Sequence, residues 1–354
     1  MHSKINQTNG KSQTIRALVH ERYGEPGAVL HLTSLADPGA PMGNQVRIRI
    51  TSTPVHPGDL LIVQGATTGG TAAPILPGQP RVPGFEGVGV IEAIGPDVAA
   101  EQNFKQGQRV ALFPANGTWS QVTLVPAASV IPIPDALADH TAAQMLINTI
   151  TAKLVLRAVH TCLSAERQLP VQLIQTAAGS AVGRLITVLA LELGLKPLRL
   201  VRTREGAEHL LATLPGAPVF AQEDADWPEQ VRQAADDHPI VAALDAVGGS
   251  LLDSVLPLLA DGSSLISYGL LGAGSPNLSI VIGREIRIQG VALGRWVQTT
   301  PPEVRAEDIA TAIRLARTKP ELFEVAASYT FADIRQAVEH TSRPGKRGTV
   351  LLTA

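Results

Sequence analysis

A chain of 354 residues has room for two domains, and 45% hydrophobic against 17% charged residues lets it build sizeable cores and excludes intrinsic disorder. With 29 basic and 31 acidic side chains the formal charge is −2, which excludes an overall pull toward nucleic acid or an anionic membrane surface. The single cysteine, Cys162, excludes internal disulfides and a cysteine-built zinc centre.

From the N-terminus, residues 1–13 are polar, lack the apolar core of a secretory signal and read as a loose tail. No later apolar run approaches the roughly 20 residues of a membrane helix, so a cytoplasmic protein with no membrane partner is expected. Residues 14–135 read as β-rich. Residues 46–51 alternate apolar and polar, the pattern of a half-buried strand, and 88–94, 109–113 and 120–125 are further short strands. Gly and Pro punctuate them at Pro83-Gly84, Gly95-Pro96 and 132–134, which suggests a compact barrel-like domain. Residues 63–83 contain Gly65, Gly69, Gly70, Pro74, Pro77 and Pro80, so no persistent strand or helix is expected there. That loop reads equally as a site lid or as a variable surface loop. Residues 139–158 carry a helical pattern leading into the second half.

The second half is organised around residues 171–204. An apolar run at 171–175 ends in Ala177-Ala178-Gly179-Ser180; Val182, Leu185, Ile186, Leu189, Ala190 and Leu193 then recur at helical spacing, Gly194 closes the helix, and 198–201 is a second apolar run. This is a βαβ unit and requires a parallel sheet. At its turn, Ala178-x-Ser180-x-x-Gly183 keeps the spacing of a GxGxxG dinucleotide fingerprint but only its third glycine, the one that lets helix and sheet pack closely. The first helical turn, Ser180, Ala181, Val182 and Gly183, offers free N–H groups to a phosphate. An ordinary crossover without a ligand is the alternative reading. At the end of the second strand an NAD site usually carries an acid; here the chain has Arg202 and Arg204 and no acid before Glu205. Two guanidiniums suit a 2′-phosphate and favour NADP(H), a solvated basic loop being the alternative.

Strands and helices go on alternating: 239–247 and 264–269 read as strands, 251–260 as a helix, and 286–293 as one more strand. In such doubly wound sheets ligands sit at the carboxyl ends of strands, here 245–249, 268–271 and 293–296. Val247, Tyr268 and Leu293 are therefore cofactor-binding candidates, Tyr268 reading equally as a buried strand-end tyrosine. Residues 300–303, Thr-Pro-Pro-Glu, have the spacing of a capping box with proline in the first turn. Helices at 303–317 and 331–341 follow, and 349–352 is a last strand expected to return to the β-rich domain and close it.

Six motifs carry a family resemblance: 82–89 (VPGFEGVG), Gly117-Thr118-Trp119, 148–152, 176–183 (TAAGSAVG), Ala246-Val247-Gly248-Gly249 and Ser267-Tyr268-Gly269. From about residue 15 onward the chain resembles the medium-chain dehydrogenase/reductase superfamily in its zinc-free branch, most nearly the 2-enoyl thioester reductases and then the quinone oxidoreductases. The resemblance implies an α/β protein with a GroES-like β-rich catalytic domain at 14–148 and 290–354, a Rossmann doubly wound NADP-binding domain at 149–289, and a homodimer formed by pairing the sheets of the cofactor domains. Arg284, Glu285 and Arg287 make the pairing segment, 280–288, less than uniformly apolar. Zinc-dependent relatives hold a catalytic metal at positions that match His56, Phe85 and the region of 147–148. Phenylalanine cannot ligate zinc and no cysteine is near, whereas catalytic zinc takes three protein ligands, so no metal is expected.

The resemblance further implies hydride transfer from NADPH to the β-carbon of an activated C=C, with donors for the enolate oxygen and a proton for the α-carbon. Related enoyl reductases take a tyrosine hydroxyl from the segment after Gln64-Gly65. Here that tyrosine is missing and Thr67 is nearest its place, a hydrogen-bond donor but a far weaker acid than phenol, whose pKa is about 10. His56 stands where zinc-binding relatives have Cys and many zinc-free ones have Asn. An ordinary imidazole pKa of about 6.5 suits proton transfer; a hydrogen bond within the His56-Pro57-Gly58 turn is the alternative. Asn148 and Thr151 match positions beside the nicotinamide. Lys153 reads as a ligand for a cofactor phosphate or as a solvated helix lysine, Trp119 and Trp296 as pocket lining or core, and Cys162 as inert. The function expected is NADPH-dependent reduction of an α,β-unsaturated carbonyl or enoyl thioester. The alternatives are an NADPH:quinone oxidoreductase and an NADPH-binding protein without turnover. The partner is a small molecule, with no nucleic acid.

Overall fold

The computed structural model describes residues 13–67, 70–71, 73–163, 171–236, 238–272 and 274–354. The tail expected at 1–13 lies outside the described residues, apart from Gln13. The chain divides into two compact units, one of Met1–Ala143, Ala327–Ser342 and Val350–Ala354, the other of Gln144–Ala326 and Arg343–Thr349.

The first unit opens with β1 (Thr14–Val19), α1 (Pro26–Val29) and β2 (His31–Ala36), the two strands pairing antiparallel. Next come β3 (Gln45–Pro54), α2 (Pro57–Val63), β4 (Ala66–Thr67), β5 (Gly70–Thr71), β6 (Gly87–Ile94), β7 (Arg109–Leu112), β8 (Val122–Pro126), β9 (Val130–Pro132) and α3 (Asp139–Ala142). The alternation read at 46–51 is real: Val46, Ile48 and Ile50 are buried and pack with Ile91, Val110, Leu112 and Val125. β3 is the hub, pairing antiparallel with β6 on one side and β8 on the other. In the loop at 63–83, expected to hold no regular structure, α2 runs to Val63 and β4 and β5 form a two-residue ladder, Ala66 opposite Thr71.

The second unit contains α4 (Met145–Cys162), β10 (Gln172–Gln175), α5 (Ala181–Glu192), β11 (Lys196–Val201), α6 (Arg204–Thr213), β12 (Val219–Ala221), α7 (Trp227–Ala235), β13 (Ile240–Asp245), α8 (Leu251–Val255), β14 (Ser264–Ser267), α9 (Leu278–Gly283), β15 (Arg287–Gly290), α10 (Leu293–Thr299) and α11 (Pro302–Thr318). Its six strands lie in the order β12-β11-β10-β13-β14-β15, all parallel. Numbered from β10 this is 3-2-1-4-5-6, the doubly wound order, with its switch point between β10 and β13. Every residue of β10 and of β13 is buried, as central parallel strands require. Ile174, Leu198, Leu200, Phe220, Trp227, Val231 and Leu265 form the core, each full burial of a large apolar side chain contributing roughly 1.5–3 kcal/mol.

The chain ends with β16 (Val325–Thr330), α12 (Ile334–Ser342) and β17 (Thr349–Thr353), and β17 pairs antiparallel with β3 to complete a seven-stranded sheet.

Four readings change. The helix expected over 139–158 is two, α3 and α4, interrupted at Ala143–Gln144. The strand expected over 286–293 is only four residues long, every one exposed at the sheet edge, and Leu293 begins α10 instead. The capping box at 300–303 does not form, because Pro301 takes the N-cap position and has no side chain to cap with. Residues 290–326, expected with the β-rich domain, cluster with the second unit. Side chains explain this: Asp308, fully buried on α11, accepts from Arg157 of α4 and, at 2.8 Å, from the Trp296 indole of α10.

Candidate functional site

In the second unit the turn from β10 to α5 is held from all sides. Ala178 N–H donates to Leu200 O at 3.1 Å and Ser180 N–H to Ala177 O at 2.9 Å. The Ser180 hydroxyl, at the N-cap of α5, accepts from Gly183 N–H at 3.0 Å. Gln175, at the end of β10, donates from Nε2 to Gly183 O at 2.7 Å and locks strand to helix. Ala177 is left-handed at φ 48°, a conformation that costs a non-glycine residue free energy and clusters at functional turns. At Gly183 a Cβ would overlap the Ala177 carbonyl oxygen and sit 2.7 Å from that of Ala178, so the surviving fingerprint glycine is sterically required. At Gly179 a Cβ would meet only Val201 Cγ1, at 3.7 Å, so the outer side of the turn is open. Ala181 and Val182 supply the first-turn N–H groups left over once Ser180 has capped Gly183.

Next to this turn lies Asp245, part of the strand end at 245–249 but with no role of its own read from the sequence. Asp245 ends the apolar run of β13 and is fully buried. Its carboxylate accepts from Thr176 Oγ1 at 2.7 Å, Val247 N–H at 3.1 Å and Gly248 N–H at 2.8 Å. It thereby shapes the 246–249 loop, in which Gly248 and Gly249 are both left-handed at φ 70° and 63°. The sequence signal was there, an acid closing six buried strand positions. Tyr268 directly follows β14. Its hydroxyl is buried with no hydrogen-bond partner among the described residues, and burial, then the Asp245 carboxylate, pushes the phenol above its ordinary range.

At the end of β11 the two arginines differ. Arg202 is exposed and its side chain has no partner among the described residues, while Arg204 pairs with Asp224 and its backbone N–H donates to Glu223 Oε1 at 2.6 Å. Thr203 caps α6 by accepting from Gly206 N–H at 3.1 Å. The sequence reading treated the arginines as equivalent because both acids are about 20 residues further on.

Ser180 to Gly183, Arg202, Val247 and Tyr268 thus stand at or just beyond the carboxyl ends of β10, β11, β13 and β14, where doubly wound sheets bind ligands. Leu293, half-buried in the first turn of α10, lies three residues beyond β15. Asn148 and Thr151 lie on α4; Asn148 is buried and donates to Gln144 O at 3.0 Å. Two alternatives resolve to structure. Lys153 is engaged by Glu307 at 2.7 Å and lies 3.7 Å from Asp308, so it is not a free phosphate ligand. Trp296 is 2% exposed and bonded to Asp308, so it is core and not pocket lining.

In the first unit Trp119 is also core, fully buried, with its indole N–H on Pro54 O at 3.2 Å. His56 sits at the N-cap of α2 in a capping box with Asp59, whose carboxylate accepts from the His56 N–H at 2.9 Å. Its Nε2 is 2.9 Å from Oε2 of Glu86, a carboxylate with no solvent exposure. Burial pushes the Asp59 carboxyl up to about 6; His56 pulls it back and Glu86 adds to the rise. Glu86 was read only as part of a motif, yet an acid between Phe85 and an apolar strand announces a buried partner. Thr67 belongs to β4, and its side chain lies outside the described residues. No group of three or more His, Cys, Asp or Glu able to hold a metal occurs among the described residues.

Residues 42–135 match the alcohol dehydrogenase GroES-like domain family. A mitochondrial enoyl-[acyl-carrier-protein] reductase of Mus musculus is 30% identical over 353 residues, covering 96% of this chain and 88% of its own. The chain belongs to the medium-chain dehydrogenase/reductase superfamily. The human mitochondrial enoyl-[acyl-carrier-protein] reductase is 28% identical over 349 residues, covering 96% and 88%. Among solved structures, a protein assigned as an NADPH:quinone reductase from Bacillus thuringiensis is 28% identical with a TM-score of 0.83, covering 97% and 100%. Escherichia coli quinone oxidoreductase complexed with NADPH has a TM-score of 0.80 at 22% identity, covering 96% and 100%, and at that identity speaks for the fold. The α/β architecture, a GroES-like part and a Rossmann sheet, is that of the superfamily, and the chain is an oxidoreductase resembling its enoyl reductases and quinone oxidoreductases. No helix among the described residues is long and apolar enough to cross a membrane.

Proposed function

We propose that the chain reduces the activated C=C of an α,β-unsaturated carbonyl or enoyl thioester with NADPH and without a metal. The observation that carries this reading is the β10–α5 turn, whose Gly183 leaves no room for a side chain and whose first-turn N–H groups point beyond the helix end. The residues fit the cofactor: Ala181 and Val182 would hold its pyrophosphate, Arg202 its 2′-phosphate, and the orphan hydroxyl of Tyr268 supplies a buried donor at the strand ends. When bound, NADPH supplies the hydride. The chain's own task is to hold a proton for the α-carbon, and His56 is the proposed holder, its Nε2 sharing that proton with Glu86. Thr67 is the proposed donor to the developing enolate oxygen.

The deciding experiment follows NADPH absorbance with a panel of enals, enones, an enoyl-CoA and simple quinones. Turnover of the enals or the enoyl-CoA supports the reading, turnover of quinones alone supports the quinone reductase alternative, and NADPH binding without any turnover supports the binding-only one. His56→Asn is expected to lower kcat at least tenfold and to shift the pH–rate profile; unchanged turnover and profile would remove His56 from the mechanism.

We also propose that two copies pair along β15. Leu278 and Ile282 of α9 and Ile288 of β15 are all exposed, Ile282 at 77%. An exposed apolar edge strand invites pairing with another chain. Ile288→Arg should turn the dimer into a monomer in light scattering, and a wild-type monomer would end this proposal.

A further inference from the structure

The end of β11 brings three cations and three acids together within the second unit. Arg204 pairs with Asp224 and has its N–H on Glu223, and Arg347 lies 2.6 Å from Glu205. Arg202 is the one of the three arginines whose side chain has no partner among the described residues; its carbonyl accepts the Glu223 N–H at 3.2 Å, which ties the acid pair to the strand end. The Arg204 side chain is 68% exposed and Asp224 only 19%, so the acid is the fixed member and the guanidinium is drawn to it.

A guanidinium binds phosphate through a fork of parallel N–H donors, and a carboxylate already on Nε occupies one edge of that fork. The acids also act directly, since a carboxylate close to a dianionic phosphate repels it while it can accept from the hydroxyls of an unphosphorylated ribose.

We infer that Asp224 is a specificity-determining residue: by holding the Arg204 guanidinium it leaves Arg202 as the side chain that separates NADPH from NADH. The inference rests on the dinucleotide reading above and adds a consequence that the two arginines alone do not give. Discrimination in this chain is held down by its own acid pair, and relieving that pair raises it.

The test measures dissociation constants for NADPH and NADH by nicotinamide fluorescence on the full chain, with a thermal melt of each variant as the folding control. Asp224→Asn removes the charge at nearly constant shape and is expected to tighten NADPH roughly two- to fivefold while giving NADH no gain. Arg202→Ala is expected to weaken NADPH roughly tenfold or more and to bring it level with NADH. Arg204→Ala is expected to change NADPH little in the wild type but to erase the gain in the Asp224→Asn background, a coupling that a merely structural role of the ion pair would not produce. Glu223→Gln serves as the second variant should Asp224→Asn fail to fold, with the same direction expected. An Asp224→Asn protein that folds and binds both carriers as the wild type does overturns the inference while leaving the cofactor reading in place. A wild type that binds neither carrier overturns the cofactor reading itself, and this inference with it.

Discussion

Gly183→Val is expected to abolish measurable NADPH binding and to lower the melting temperature by roughly 5–10 °C, with Gly183→Ala following in the same direction. The Cβ has nowhere to go. It would overlap the Ala177 carbonyl oxygen and approach that of Ala178 at 2.7 Å, and these are backbone atoms. Neither side of the contact can yield. Ala178 is tied to Leu200, Ala177 to the Ser180 N–H, and Gly183 itself to Ser180 through its N–H and to Gln175 through its carbonyl. Overpacking a closed site costs roughly 1–3 kcal/mol, and the first turn of α5 can relieve it only by moving away from β10. That movement displaces the N–H groups that face the phosphate, where a shift of about 1 Å is enough to lose most of the interaction. Gly179→Ala provides the contrast. Its Cβ would touch only Val201 Cγ1, at 3.7 Å, so stability should not change, whereas a ligand lying against the open turn would be pushed out and its Kd raised. Thermal melts with fluorescence titrations separate the two. A Gly183→Ala protein with unchanged NADPH affinity would remove the turn from the binding site.

The contrast between these glycines also shows what a sequence can display. The βαβ unit was legible because its signals are local: buried runs at 171–175 and 198–201, helical spacing between them, and Gly194 at the end. The strands around β3 were legible for the same reason, since alternation at 46–51 reports one buried face. Partners were not legible. Trp119 and Trp296 are apolar bodies with one donor each, and whether such a residue lines a pocket or a core depends on Pro54 O and Asp308, 65 and 12 residues away. Lys153 looked free because Glu307 is 154 residues further along. Arg204 looked like the twin of Arg202 until the chain returned through β12 with Asp224. His56 and Glu86 are separated by 30 residues and a loop whose pattern says nothing about pairing. Burial periodicity is written in one dimension, whereas the partner of a charge is set by the tertiary fold. The boundary at residue 290 was missed on the same ground, because the ion pairs and the indole bond between α4, α10 and α11 hold 290–326 in the second unit.

Asp59→Asn is expected to stabilise the chain relative to wild type at neutral pH and to lose that advantage on acidification. Asp59 is 1% exposed, and its Oδ1 has no hydrogen-bond partner among the described residues. Burial pushes its carboxyl from 3.8 up to about 6, opposed by His56 and by the His56 and Phe85 N–H groups and reinforced by Glu86. Between these two values the native state keeps a proton that the unfolded chain has released. The native state therefore binds more protons in this window, and this group's contribution to stability falls as pH rises from about 4 to about 6. The displacement corresponds to about 3 kcal/mol, absent below the window and present in full as a cost above it. Asp37 and Glu307 act in the opposite sense, because Arg47 and Lys153 lower their carboxyl pKa values, so the wild-type curve alone hides the effect. The difference curve isolates it. An asparagine keeps an oxygen that can accept the His56 N–H, so the cap survives while the charge is removed. Urea unfolding of both proteins at pH 4.5 and pH 7.5 should show the variant gaining roughly 2 kcal/mol between the two conditions. A difference that does not change with pH would mean that Asp59 is not the buried charge the geometry makes it. Activity measured over the same range gives a second readout. An acid limb near pH 6 that vanishes in Asp59→Asn belongs to Asp59.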